Sequence, residues 1–150
     1  MENKNSDYNH KNSVILIMAG GLGKRMNSDV PKVLHLINNK PMIVHVIETS
    51  FKLNIHKICI IVGKYYAVIK ETLEQYLDMN IMASKITFIM QNEALGTGHA
   101  ILCCKNFLEK LPTYIYNICI LSGDVPLITT ESINNLLNDT EFCNILIANI

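Results

Sequence analysis

Apolar positions along this chain follow two alternating patterns. Short uninterrupted runs rich in Ile and Val stand at 14–18, 57–62, 85–90, 117–121 and 144–148. Continuous apolar runs are what a parallel strand buried on both faces requires. Between them lie stretches of helical period. The segment 41–53 opens with Pro41 and carries Ile43, Val46 and Ile47 on one side. In 66–77 the apolar residues Ile69, Leu73, Tyr76 and Leu77 share a face, and in 98–111 Ala100, Cys104, Phe107, Leu108 and Leu111 do the same. The segment 129–138 starts with hydroxyls suited to cap it. Strand, loop and helix thus repeat four times and close on a strand, which predicts an open, mostly parallel α/β sheet with right-handed crossovers. Residues 1–12 are polar and aperiodic and are expected to be a flexible tail, with 13–150 as one domain. Only Asn149 and Ile150 follow the last run, so the chain reads as cut short at its C-terminus, either a fragment of a longer protein or a minimal product.

Composition narrows the class. A chain of 150 residues is about one domain and buries enough surface to need no disulfide or structural metal. Hydrophobic residues at 49% and charged residues at 17% exclude a disordered chain. Lys+Arg and Asp+Glu are 13 each, so neither a general nucleic-acid surface nor a polybasic membrane anchor is expected. The longest uninterrupted aliphatic stretch, 14–19, is far too short to cross a bilayer, and the N-terminal segment has no apolar core of a secretory signal. The five cysteines, Cys59, Cys103, Cys104, Cys119 and Cys143, are odd in number, form no CxxC and sit in apolar segments. Reduced, buried thiols in a cytoplasmic protein are expected.

In an open α/β sheet, ligands bind beyond the carboxyl ends of the strands. Three segments in such places carry candidate chemistry. The first runs from Ala19 through Gly20, Gly21, Leu22, Gly23, Lys24 and Arg25. Its glycines let the backbone approach a ligand and aim N–H groups at phosphate oxygens. Arg25 adds a fork of donors suited to phosphate, and Lys32 is a second cation. The same residues also suit a plain turn with solvated charges. A Walker loop is excluded, because Met18 stands where its first Gly belongs and Arg25 where its Ser or Thr belongs. A dinucleotide fingerprint fails at Met26.

The second segment is Gln91-Asn92-Glu93-Ala94-Leu95-Gly96-Thr97-Gly98-His99-Ala100. Gln91 carries an amide donor and an acceptor suited to a base edge, or to holding loop backbone. His99 reads as a residue at a helix start partly packed on the core. It has no Cys or carboxylate beside it in sequence that would make it a metal ligand. The third segment is Ser122-Gly123-Asp124-Val125-Pro126. Asp124 suits either a Mg²⁺ shared with substrate phosphates or a turn that caps the strand end.

Together the three segments resemble the motifs of sugar-phosphate nucleotidylyltransferases. The run AGGLGKRMNSDVPKVLH is similar to the family's signature loop, and QNEALGTGHA and LSGDVPLI are similar to its second and third motifs. Order and spacing agree from about Ser13 onward, and the Gln-x-x-x-Leu-Gly-Thr-Gly-His-Ala pattern is the most specific part. The combination is most similar to members that transfer UMP from UTP to N-acetylglucosamine 1-phosphate, releasing pyrophosphate. The resemblance implies a Rossmann-like fold of the glycosyltransferase A type. It implies nucleoside contacts from Ala19, Gly20 and Gly21, with Gly23 in the same loop. It implies a uracil contact from Gln91, and a base and ribose site lined by Gly96 and Thr97. Arg25 would hold the triphosphate tail, Lys32 the reacting phosphates, and Asp124 the Mg²⁺ cofactor.

Departures accompany the resemblance. The family's sugar-holding Gly, Glu and Asn, and a later Asn of its metal site, have no counterpart in these 150 residues. A homo-oligomer or a partner chain would then supply them. The acetyltransferase β-helix of bifunctional members is also absent, so acetyl-CoA chemistry is not expected. Gly20 stands where many members have Ala. The alternatives are a UTP-binding module without catalysis and a transferase for another sugar or alcohol phosphate.

Overall fold

A computed structural model describes residues 8–21, 28 and 30–138. The expected strand at 144–148 and Cys143 lie outside the described residues. Strand β1 (Ser13–Met18) is interior. It is followed by a 3-10 turn at Lys32–Leu34 and a small hairpin of β2 (Leu36–Ile37) and β3 (Lys40–Pro41). Then come α1 (Met42–Phe51), β4 (Lys57–Val62), α2 (Tyr66–Tyr76), α3 (Met79–Lys85) and β5 (Ile86–Met90). The series ends with α4 (Thr97–Cys103), α5 (Lys105–Leu108), β6 (Asn117–Ser122) and α6 (Thr130–Asn138). The main sheet has the order β5-β4-β1-β6, with every pair parallel. This is the α/β architecture that the alternating pattern predicts.

Side-chain alternation divides the core between two faces. Ile15, Ile17, Ile58, Ile60 and Val62 pack with Ile43 and Ile47 of α1, Ile69 and Leu73 of α2, Met82 of α3 and Ile133 of α6. Val14, Leu16, Cys59 and Ile61 face the other way, onto Ala100 and Cys104, with Phe107 and Leu108 of α5 at the margin. The interior strands are therefore buried on both faces, which explains why their sequences are continuously apolar. Strand β6 differs. Cys119 and Leu121 are buried, but Ile118 and Ile120 on the opposite face are 48% and 43% exposed. Among the described residues β6 is an edge, and α4 and α5 cover only the half of that face over β1 and β4.

Four features depart from the pattern-based expectation. The segment 98–111 is two helices, parted at Cys104, whose N–H donates to the carbonyls of Ile101 and Leu102. Helix α3 is additional; Asp78 caps it, accepting from the N–H groups of Asn80 (2.8 Å) and Ile81 (3.1 Å). The β2–β3 hairpin turns through Asn38 and Asn39 with φ of 50° and 61°, the left-handed pair that two-residue hairpins favour. Finally, residues 8–12 are packed rather than tail-like. Tyr8 lies on the core, buried His10 bonds Asn134 Oδ1 at 2.8 Å, and the Asn12 carbonyl accepts from the N–H groups of Tyr116 and Asn117. The expected cap of α6 is present, with Thr129 Oγ1 accepting from the Ser132 N–H at 3.1 Å.

Candidate functional site

The carboxyl ends of β1, β4 and β5 converge at three small or polar residues. Past β1 the chain runs through buried Ala19, whose N–H donates to the Ile61 carbonyl at 2.8 Å, and on to Gly20. A Cβ on Gly20 would stand 2.9 Å from Gln91 Oε1 and 3.5 Å from the Gly63 nitrogen. Glycine thus lets the end of Gln91 lie against the loop, and an alanine, frequent at this position in the family the motifs resemble, would push that flexible end aside. Gly63, just past β4, is also tightly placed, since a Cβ there would lie 3.3 Å from the Gly20 carbonyl oxygen, a backbone atom. The sequence reading did not single out Gly63; its signal is a glycine directly after the apolar run 57–62. Among the described residues nothing stands within 4 Å of a Cβ placed on Gly21.

Gln91 is buried, and its N–H donates to the Val62 carbonyl at 2.7 Å, fixing it beside β4. Its side-chain Nε2 lies 3.1 Å from the Gly96 carbonyl oxygen and 3.2 Å from His99 Nδ1. Gly96 has φ of 98°, a backbone state that favours glycine. Its carbonyl also takes the Ala100 N–H at 3.1 Å. Thr97 is exposed and opens α4. The Gln91 amide group thus holds the loop backbone at Gly96 and stands beside the His99 ring. The link to His99 was also missed. His99 is half-buried as expected, but strand, loop and helix must all be placed before its contact with Gln91 becomes visible.

A second pair forms where β6 ends. The Gly123 N–H donates to the Met18 carbonyl at 3.0 Å, binding this loop to the end of β1. A Cβ on Gly123 would sit 3.1 Å from both that carbonyl and Val33 Cγ1. Asp124 accepts from Ser122 Oγ on one oxygen and from Lys32 Nζ on the other, each at 2.5 Å. The 3-10 turn positions Lys32 by burying its neighbours Val33 and Leu34. Burial alone would push the Asp124 carboxyl up. The hydrogen bonds from Lys32 and Ser122, with the Lys32 charge, more than offset this and hold it below the ordinary value.

The structure therefore brings Gly20 beside Gln91 and Gly96, and Lys32 beside Asp124, all at the carboxyl edge of one sheet. Gly23 and Arg25 lie outside the described residues. Among the described residues no group of three or more His, Cys, Asp or Glu is placed to hold a metal. An ionised Asp124, with lone pairs beyond its two hydrogen bonds, fits Mg²⁺ as one ligand completed by phosphate oxygens and water.

Comparison with known proteins bears on this arrangement. The nucleotidyl transferase family model matches residues 14–141. The chain is 44% identical over 124 residues to a "Probable UDP-N-acetylglucosamine pyrophosphorylase" of Acanthamoeba polyphaga mimivirus, covering 83% of this chain and 46% of that protein. It is 42% identical over 124 residues to the bifunctional protein GlmU of Clostridium botulinum (strain Eklund 17B / Type B), covering 82% and 25%. The solved structure of a UDP-glucose pyrophosphorylase complexed with UDP-glucose shares the fold, with a TM-score of 0.62 at 19% identity over 86% of this chain and 54% of that one. The chain thus spans less than half the length of these two curated relatives.

Proposed function

We propose a sugar-phosphate uridylyltransferase activity for this chain, which belongs to the nucleotidyl transferase family. The substrates are UTP and N-acetylglucosamine 1-phosphate, and the products UDP-N-acetylglucosamine and pyrophosphate. One observation carries the reading. A close cluster of Gly20, Gly63 and Gln91 and a cation–carboxylate pair at Lys32 and Asp124 occupy the same edge of a parallel sheet. That edge is where open α/β sheets bind nucleotides, and the names of the relatives point to UDP-sugars.

The reaction needs no protein nucleophile. A phosphate oxygen of the sugar 1-phosphate attacks the α-phosphorus of UTP in line. The bond to the bridging oxygen breaks, and pyrophosphate leaves with its electron pair. Both reactants are anions, so charge neutralisation and positioning are the protein's contribution. The Gly20–Gly21 backbone lies against the nucleoside, and Gln91 meets the base. Lys32 moves from Asp124 to the reacting phosphates, and Arg25 holds the departing pyrophosphate. Asp124 would hold Mg²⁺, which when bound would supply charge neutralisation at the transferring phosphate. A cytoplasmic location goes with this reading. Free thiols at Cys59, Cys103, Cys104 and Cys119 support it, and no described helix is long and apolar enough to cross a membrane.

A second reading is a UTP-binding module without turnover, in which Lys32 and Asp124 stay paired with each other. Two measurements on the 150-residue chain separate the readings: UTP binding by calorimetry, and pyrophosphate release with Mg²⁺ and a panel of sugar phosphates. Release that depends on N-acetylglucosamine 1-phosphate is expected for the transferase. Binding without release leaves the module. Neither binding nor release overturns both.

A further inference from the structure

His99 has no part in the chemistry above, yet it touches the side chain assigned to the base. We propose that His99 is a positioning residue that locks the Gln91 amide with its oxygen as the group offered to the base, so that the site selects a base carrying a ring N–H. The inference deepens the uridylyl reading and rests on it for the identity of the ligand.

The argument runs through hydrogen-bond polarity. The Gly96 carbonyl oxygen only accepts, so the end of the Gln91 amide that stands 3.1 Å from it must be the NH₂ group. That group has two hydrogens. One goes to Gly96, and the other is directed at His99 Nδ1, 3.2 Å away. His99 Nδ1 must then be an unprotonated acceptor, and the ring proton resides on Nε2, on the side of Cys103 Sγ at 3.9 Å. With both hydrogens taken, Oε1 is the group left over. Among the described residues it accepts no hydrogen bond, and it is not one of their fully enclosed unpartnered atoms. It lies over the Gly20 backbone, where a Cβ would come within 2.9 Å of it. Glycine at that position therefore keeps the oxygen uncovered beside the nucleoside loop.

An acceptor alone discriminates between bases. Uracil presents a ring N–H that Oε1 can accept. Cytosine presents a bare ring nitrogen at the same place, so two acceptors would face each other unpaired. A Gln91 free to rotate its amide could serve either base. One held by Gly96 and His99 serves only the first. Replacing one good hydrogen bond by an unpaired contact corresponds to about 10–100-fold in affinity.

Two measurements on the full chain test this. Imidazole ¹⁵N NMR of the free protein should show the His99 tautomer with Nδ1 bare and the proton on Nε2. A proton on Nδ1 overturns the proposal whatever the nucleotide results. Calorimetry with UTP and CTP in Mg²⁺ should then show the wild type favouring UTP by about 10–100-fold. His99→Ala should bring that ratio toward one, and His99→Asn, whose Oδ1 accepts near the position of Nδ1, should restore it. A merely structural role for His99 would weaken both nucleotides alike, so an unchanged ratio in a folded His99→Ala chain overturns the proposal. A wild type that binds neither nucleotide overturns the uridylyl reading and the base selection built on it, and the tautomer still decides the orientation of the amide.

Discussion

Lys32 and Asp124 are far apart in sequence, and in the fold each holds the other's side chain. Half of the Lys32 side chain remains in solvent, so screening keeps the pair's contribution to stability small, under about 1 kcal/mol. The Asp124 carboxyl is held below its ordinary value of 3.8. A depressed carboxylate stabilises the fold above its ordinary value, and that contribution is lost as pH falls through the folded value. Asp124→Asn should therefore unfold at nearly the wild-type midpoint in urea at neutral pH, and the small gap should close in acid below pH 3.8. Mg²⁺-dependent turnover of the same variant should fall by about 10²–10³-fold, the usual size of losing one charge-stabilising group. Near-normal turnover would reduce Asp124 to a turn residue. Each candidate residue here was legible singly, because a polar residue just past an apolar run marks a strand's carboxyl end. The pairings were not. Lys32 meets Asp124, and Gln91 meets His99, only after β1, β5 and β6 have been aligned in one sheet.

Helices were legible in proportion to their length and periodicity. The ten-residue α1 and eleven-residue α2 fall within a few residues of the expected 41–53 and 66–77. The seven-residue α3 has too few turns to show a period. Its one local signal was Asp78, which accepts two backbone N–H groups at the helix start. Asp78→Ala should cost about 1 kcal/mol in urea unfolding and leave nucleotide binding unchanged, because α3 leads into the start of β5, away from the ligand loops. A loss much below that would show the helix held by Met82 and its core contacts alone. The break between α4 and α5 was hidden for the opposite reason. The apolar period continues through Cys104, whose side chain is buried against Cys59, so the pattern carried no mark of the turn there.

At the scale of the whole molecule, the parallel sheet covered by helices followed from chain alternation, because interior parallel strands leave no polar face, whereas the strand order β5-β4-β1-β6 left no mark in the pattern. Strand β6 reads the same way in sequence, yet exposes Ile118 and Ile120; an apolar run records what a strand can bury, not what covers it. The sulfur atoms inside this sheet carry a further consequence, one of reaction rates. The Cys59 and Cys104 sulfurs lie 4.0 Å apart in the core, and burial pushes both thiols up. Burial pushes Cys119 up to about 11. A thiolate is the reactive form, so all three are chemically silent while the sheet is closed. Cys103 is only half-buried, so a reagent reaches it without the sheet opening. In a Cys143→Ser background, an alkylating reagent should modify Cys103 promptly and the other three only as fast as the sheet opens. Mass spectrometry of the labelled chain over time should show one fast adduct, then the remaining adducts arriving together. If Cys119 on the edge strand β6 arrives well before Cys59 and Cys104, the edge detaches while the interior strands stay paired. The order of alkylation would then be a map of how the sheet comes apart, written by residues that have no part in its chemistry.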